Sequence, residues 1–278
     1  MDIFIDTQTL AVTITILVIG LATIIYMTNN QDKMSSSKSS TSTLQTVPIP
    51  TPTYGPSGSF TVLAKTFIPN ATPAEVLATI RNTNTWSQWN GFTPTFTFSP
   101  SSVVNPASGS FQKTKTTPVS KAGSESLGSP SDPALVTGKP GWLDPGSAGE
   151  MAVFMSGDGL VEGIKKSRDQ GIIVTVLELL TASMNAPRDE KKGYRIAWKS
   201  VGYAQWQMFS ERVTELVEVD EEGQGGEEGR KGTEYVCWET FGGVLGPVVR
   251  LAVGGTLKVR FMEYADGLRG FCGEGKGN

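Results

Sequence analysis

The chain has 278 residues, a net charge of −3 and 38% hydrophobic residues, enough for one globular core of about 200 residues with extra segments. It contains no histidine, which excludes Ser-His and Cys-His nucleophile systems, histidine general bases and every histidine-containing zinc site. The balance is slightly acidic, and Lys165, Lys166 and Arg168 form a single small basic cluster, so a phosphate-tracking nucleic-acid surface is excluded as well.

Nothing in this composition calls for a metal or a cofactor, so any chemistry falls to carboxylates, tyrosine, arginine, lysine or water. Cys237 and Cys272 are too few for a disulfide scaffold. They read as free thiols in a reducing compartment, with a single bridge as the alternative.

In chain order, residues 1–9 are a short tail carrying Asp2 and Asp6. Residues 10–27, LAVTITILVIGLATIIYM, run without a charge and predict an uncleaved transmembrane anchor. A signal peptide would have a shorter apolar stretch, a basic front end and a small-residue cleavage site. Lys33 and Lys38 follow the segment, so the positive-inside rule predicts a single-pass membrane protein with its main domain in the cytosol. A start at Met34 would remove the segment altogether. Residues 28–58 pass from a Ser/Thr run into VPIPTPTYGPSG, which predicts a flexible, polyproline-rich linker.

Residues 59–273 read as one folded domain, with 274–278 as a tail. It opens on a predicted strand at 60–68. A helix follows, with Thr72 as N-cap, Pro73 in the first turn and Glu75 completing a capping box. Trp86 and Trp89 sit three apart in NTWSQWN, and two roles are open to them, core packing or the lining of a pocket mouth. Residues 92–98 alternate as an edge strand that tolerates Pro94. Residues 99–148 are rich in Pro, Gly and Ser without hydrophobic periodicity and predict a largely disordered insertion, although Trp142 and Leu143 near its end could tuck back onto the domain.

Five strands are then predicted, at 150–156, 172–182, 194–202, 207–219 and 233–241. The short connections between them argue an antiparallel meander, and 221–232 is its solvated hairpin tip. In the last strand Tyr235, Cys237 and Glu239 share one face and Val236, Trp238 and Thr240 the other. Beyond the glycines at 242, 243 and 246 a long helix is predicted. Val253, Leu257, Phe261, Tyr264, Leu268 and Phe271 form its apolar stripe, and about 25 residues give it a length of roughly 37 Å. Gly254 and Gly255 inside it cost about 1 kcal/mol each, which implies a close approach, a hinge or a tolerated kink.

The segments FIPNATPAEVLATIRNTNTWSQWN (67–90), YRIAWKSVGYAQWQMFSERVTELVEV (194–219) and TEYVCWETFGG (233–243), in this order before a long helix, resemble the START-like helix-grip superfamily. This group is also called SRPBCC, or polyketide cyclase/dehydrase and lipid transport. The resemblance covers about residues 59–272 and points to the uncharacterised fungal branch. It implies an α+β fold, in which a curled antiparallel sheet of six to seven strands wraps a long C-terminal helix. It also implies an apolar cavity between sheet and helix, suited to a lipid, sterol, quinone or polyketide.

Trp198, Trp206, Trp238, Phe261 and Tyr264 are candidate lining aromatics, joined by Trp86 and Trp89 at the mouth. Glu178, on a strand face with Val174, Val176 and Leu180, and Glu239, between Trp238 and Thr240, are the candidate polar contacts. Each either meets ligand, lies on the solvent side of the sheet, or pairs with a cation such as Arg195, Arg212 or Arg260. The functional expectation is a monomeric, membrane-tethered module that binds or transfers a hydrophobic small molecule. The alternatives are an enzyme of polyketide cyclase, aromatase or dehydratase type, using Glu178, Glu239 or Tyr264, and a structural anchored domain without ligand.

Overall fold

The computed structural model describes residues 40–99, 132–180, 193–221 and 230–273. They form an α+β protein with one open eight-stranded antiparallel sheet and a long C-terminal helix. The predicted anchor and the 222–229 hairpin tip lie outside these residues. Among the described residues no helix is long and apolar enough to cross a membrane.

The strands are β1 (Thr41–Gln45), β2 (Phe60–Pro69), β3 (Phe96–Phe98), β4 (Ala148–Val153), β5 (Arg168–Leu180), β6 (Gly193–Ser200), β7 (Phe209–Glu221) and β8 (Arg230–Gly242). Their order across the sheet is β1-β2-β8-β7-β6-β5-β4-β3, so β3 to β8 make a meander and β2 closes onto β8. Helix α1 is Pro73–Arg81 and α2 is Gly246–Gly273. The capping box predicted for α1 is present: the Glu75 amide donates to Thr72 Oγ1 at 3.3 Å and the Thr72 amide to Glu75 Oε2 at 2.9 Å.

Both helices lie on one face of the sheet, because period-2 alternation gives that face its apolar residues. Phe60, Val62, Ala64 and Ile68 of β2, Tyr235, Cys237 and Phe241 of β8, and Ile196 and Trp198 of β6 are buried with Leu257, Phe261, Tyr264 and Leu268 of α2 in one core cluster. Phe271, expected to end the apolar stripe, is exposed, and Cys272 takes the buried place with Sγ 3.4 Å from Thr79 Oγ1. Neither cysteine is in a disulfide, as the sequence suggests. Gly254 has a structural reason: a Cβ there would stand 3.1 Å from the Leu44 side chain of β1, whereas one on Gly255 would meet nothing within 4 Å. The first glycine thus lets α2 approach the edge strand, and the second is tolerated.

Three expectations are corrected. Residues 41–45, placed in the flexible linker, form β1, and the chain beyond them crosses the outer face of the sheet as a strap. There Thr240 donates to Ile49 O at 2.7 Å, Trp238 Nε1 donates to Pro50 O at 3.3 Å, and Tyr54 packs on Phe209 at 4.2 Å between ring centroids. Glu211 beneath the strap is fully buried and accepts from Thr53 N (2.7 Å), Thr53 Oγ1 (2.6 Å) and Thr175 Oγ1 (2.8 Å). The carboxylate is therefore satisfied by hydrogen bonds rather than by a cation. Within the insertion expected to be largely disordered, residues 132–148 are fixed to the core through Arg81 and through Leu143, whose full burial agrees with the expectation that it tucks back onto the domain. The edge strand expected over 92–98 is confined to Phe96–Phe98, with Pro94 before it.

Candidate functional site

Above the middle of the sheet, against the N-terminal half of α2, is a cavity of about 390 Å³. Met151 and Val153 of β4, Gln170 and Ile172 of β5, Trp198 and Ser200 of β6, Ser210 and Arg212 of β7 and Glu239 and Phe241 of β8 form its floor. Leu245, Val248, Val249, Ala252, Val253 and Leu257 form its helical wall, and Phe92, Met155, Tyr203 and Met208 close it from the loops. The volume falls in the lower part of the range typical of ligand pockets and is worth roughly thirteen water-sized units.

The floor carries one ion pair. Arg212 Nε and Nη2 donate to the same oxygen, Glu239 Oε2, at 2.9 and 2.8 Å, and the two side chains are only 6% and 14% exposed. The register that sets Arg212 opposite Glu239 in the β7–β8 pairing places the two charges side by side. Four aromatic rings surround the guanidinium: Phe261 at 4.4 Å, Phe92 at 5.3 Å, and Trp198 and Tyr264 each at 5.8 Å from Cζ to the ring centroid. Burial alone would depress the Arg212 pKa; the Glu239 carboxylate, with Cys237 and Tyr264 acting in the same direction, offsets it and holds the group above its ordinary value. Among the described residues Arg212 Nη1 and Glu239 Oε1 make no hydrogen bond, so a charged donor and a charged acceptor remain on the floor of a mostly apolar cavity, beside the neutral polar groups of Gln170, Ser200 and Ser210.

Behind Arg212, away from the cavity, lies a buried polar group of a different kind. Trp89 Nε1 and Tyr264 Oη are buried without a hydrogen-bond partner among the described residues, and the buried Tyr235 Oη has only the Cys237 thiol beside it. Their rings are contiguous, with Trp89 5.0 Å and Tyr235 6.5 Å from Tyr264 between centroids. Burial pushes both tyrosines well above their usual pKa, with Arg212 offsetting part of the shift. Burial raises the Cys237 thiol too, which makes it a poor nucleophile.

Replacing Tyr264 with Phe is expected to leave stability near neutral pH unchanged or raise it by about 1 kcal/mol, since it removes an unsatisfied buried hydroxyl. The pH sign follows from the folded-state values lying above those of the unfolded chain. The contribution of these tyrosines is fully present below about pH 10, and is lost as the pH rises past it because the unfolded tyrosines ionise first. Each buried tyrosine steepens that loss by at most about 1.4 kcal/mol per pH unit. Urea unfolding between pH 8 and 11 should show a shallower decline for Tyr264→Phe; an unchanged slope would refute the burial argument.

Of the nine residues named from sequence, Trp198 and Glu239 line the cavity. Phe261 and Tyr264 stand behind it as part of the cage round Arg212. Trp86 is core, its Nε1 donating to Ile80 O at 3.0 Å, and Trp89 is buried against Tyr264. Trp238 lies on the opposite face of the sheet with Val213 and Ala197; as the strand neighbour of Glu239 it cannot share that residue's side. Trp206 is 67% exposed on the loop before β7.

Glu178 also faces outward, paired with Arg195 at 2.8 Å, which in turn holds Glu215. A bulge between Val174 and Val176 shifts the alternation, so Glu178 does not share the inward face of Val174. For both carboxylates the expected arginine partner is present, but only Glu239 also meets the cavity. The sequence offers Arg212 only as a possible partner, although alternation places it in phase with the buried Leu216. The lining residues Met151, Met155 and Met208 carry no sequence signal that separates them from ordinary core.

No family model matches the chain. A stretch of 110 residues is 33% identical to Oxopyrrolidines biosynthesis cluster protein O of Penicillium oxalicum, covering 38% of this chain and 50% of that protein. The chain thus spans about half the length of the curated relative it matches. Among solved structures, a hypothetical protein of Helicobacter pylori aligns with a TM-score of 0.45 and 10% identity, over 76% of this chain and 86% of that one.

Proposed function

We propose that this chain is a START-like, helix-grip module that binds or transfers one hydrophobic small molecule in the cavity between the sheet and α2. The observation that carries the reading is an apolar cavity of about 390 Å³ whose floor bears a single caged ion pair, Arg212–Glu239. Such a site receives an apolar body and fixes the orientation of one polar end. The volume favours a compact polyketide, terpenoid or quinone over a whole two-chain lipid. Tethering through residues 10–27, with the domain on the cytosolic side, belongs to the same proposal.

The test is native mass spectrometry of the full chain in detergent, followed by identification of whatever co-purifies. A stoichiometric small hydrophobic molecule is expected, and Val249→Trp, which fills the cavity from the helix, should abolish it. Retention of the same molecule by Val249→Trp would place it elsewhere and defeat the reading.

A second reading is an enzyme of polyketide cyclase, aromatase or dehydratase type. It is favoured by the name of the fungal relative, a protein of an oxopyrrolidine biosynthesis cluster, and by the Glu239 Oε1 available to act as a base on the cavity floor. Glu239→Gln would abolish turnover in that case, and would leave affinity for an apolar ligand largely intact in the carrier.

A further inference from the structure

The cavity mouth is ringed by side chains that a soluble surface does not explain. Tyr203 and Trp206, from the loop between β6 and β7, and Val244, Leu245, Val248 and Leu251, from the corner and first turns of α2, are all exposed, Leu251 by 84%. They form one surface: Val244 N donates to Trp206 O and Leu245 N to Gln207 O, each at 3.0 Å, which fastens the loop to the corner. Tyr203, Leu245 and Val248 at the same time line the cavity. Large apolar side chains exposed together mark a contact site.

Unpaired cations accompany this collar. Arg168 lines the mouth and Arg250 lies between Val248 and Leu251 on α2; among the described residues neither has an ion-pair partner. On the loop leading to Arg168, Lys166 is neutralised by Asp169, whereas Lys165 is exposed and has no carboxylate partner among the described residues.

We propose that this collar docks on an anionic lipid surface, with the cavity mouth facing the bilayer. The inference rests on the cavity reading above, for which it supplies the partner. Tryptophan and tyrosine suit the headgroup level, aliphatic side chains the acyl boundary, and unpaired arginines the anionic headgroups. A second copy of the chain fits less well, because a twofold interface through this face would bring Arg168 and Arg250 toward their own copies, like charge against like. The cations also stand out against a chain of net charge −3. A planar anionic surface complements both parts of the collar and would leave the ligand a path that avoids water.

The test places a polarity-sensitive fluorophore on the collar of the full chain. Both native cysteines are buried, so Leu251→Cys can be labelled selectively with a nitrobenzoxadiazole group. With the protein bound to vesicles of phosphatidylcholine and phosphatidylserine, the label is expected to brighten several-fold and shift to the blue. It should change little on phosphatidylcholine alone. Arg168→Gln and Arg250→Gln should each raise the phosphatidylserine content needed for half the response by about fivefold or less.

A label that stays water-exposed on vesicles carrying the bound chain overturns the proposal, since any upstream anchor would hold the chain there without the collar. A change that follows protein concentration without vesicles overturns it in favour of a second copy. Uptake of anilinonaphthalene sulfonate, followed without vesicles and blocked by Val249→Trp, tests the cavity separately, so that a dry collar and an absent cavity give different results.

Discussion

Arg212→Met is expected to lower the stability of the fold by about 3–5 kcal/mol, because it leaves Glu239 as an uncompensated carboxylate that is 14% exposed. Glu239→Leu should cost a similar amount from the other side, leaving the guanidinium to its aromatic cage. The double variant should regain most of either loss, since an apolar pair removes both desolvation penalties together. In a domain of about 200 residues the single losses correspond to a fall in Tm on the order of 10 °C. Thermal unfolding of the four proteins gives the coupling energy, and additive losses would show that the pair does not act as a unit. The double variant also separates stability from recognition. It should still take up a purely apolar probe, yet bind a ligand with a polar terminus about tenfold or more weakly. Equal affinities for both ligands would mean that the ion pair organises the floor without touching what the cavity holds.

Much of this architecture is legible in the sequence because local rules and tertiary packing agree. The Thr72-Pro73-Glu75 cap, the stripe on α2 and the alternation of Tyr235, Cys237 and Glu239 each specify an element through a period or a cap that packing then uses. The failures arise where packing decides against composition. TSTLQ at 41–45 has the look of a linker, but the β2 edge offers unpaired backbone groups and Leu44 meets the gap left by Gly254.

The site fares worse than the fold for a definable reason. A tryptophan in a strand is apolar whichever way it points, so Trp198 and Trp238 look alike until parity is traced to a residue of known side. Tracing Glu239 against Trp238 would have excluded Trp238. The same tracing fails for Glu178, because the bulge at Val174/Val176 has no glycine or proline to announce it. Arg212 is hard to place for the opposite reason: a charged residue reads as solvent-facing, and only its register with Glu239 shows why it tolerates burial.

Arg81 makes the same point at larger scale. Its side chain is completely buried, and its guanidinium donates to Leu143 O at 3.1 Å, Ala134 O at 2.5 Å and Val136 O at 3.0 Å while pairing with Asp144 at 2.6 Å. One arginine thus organises the backbone of 132–146, part of a stretch whose Pro, Gly and Ser content and lack of periodicity predict little structure beyond the tucking back of Trp142 and Leu143. Tyr194 adds a bond to Asp132 at 2.8 Å, and the segment closes the core with Leu143. Arg81→Leu is expected to cost on the order of 3–5 kcal/mol, from the stranded Asp144 and carbonyls together with partial withdrawal of Leu143. Arg81→Lys should recover little, because a point charge cannot reach four acceptors arranged around a planar fork. Hydrogen exchange locates the effect. Amides of 134–147 should lose protection in Arg81→Leu while those of β2 and β8 keep theirs relative to global unfolding. Uniform loss across the sheet would instead make Arg81 a core residue in the ordinary sense, with the segment following the fold rather than being pinned to it.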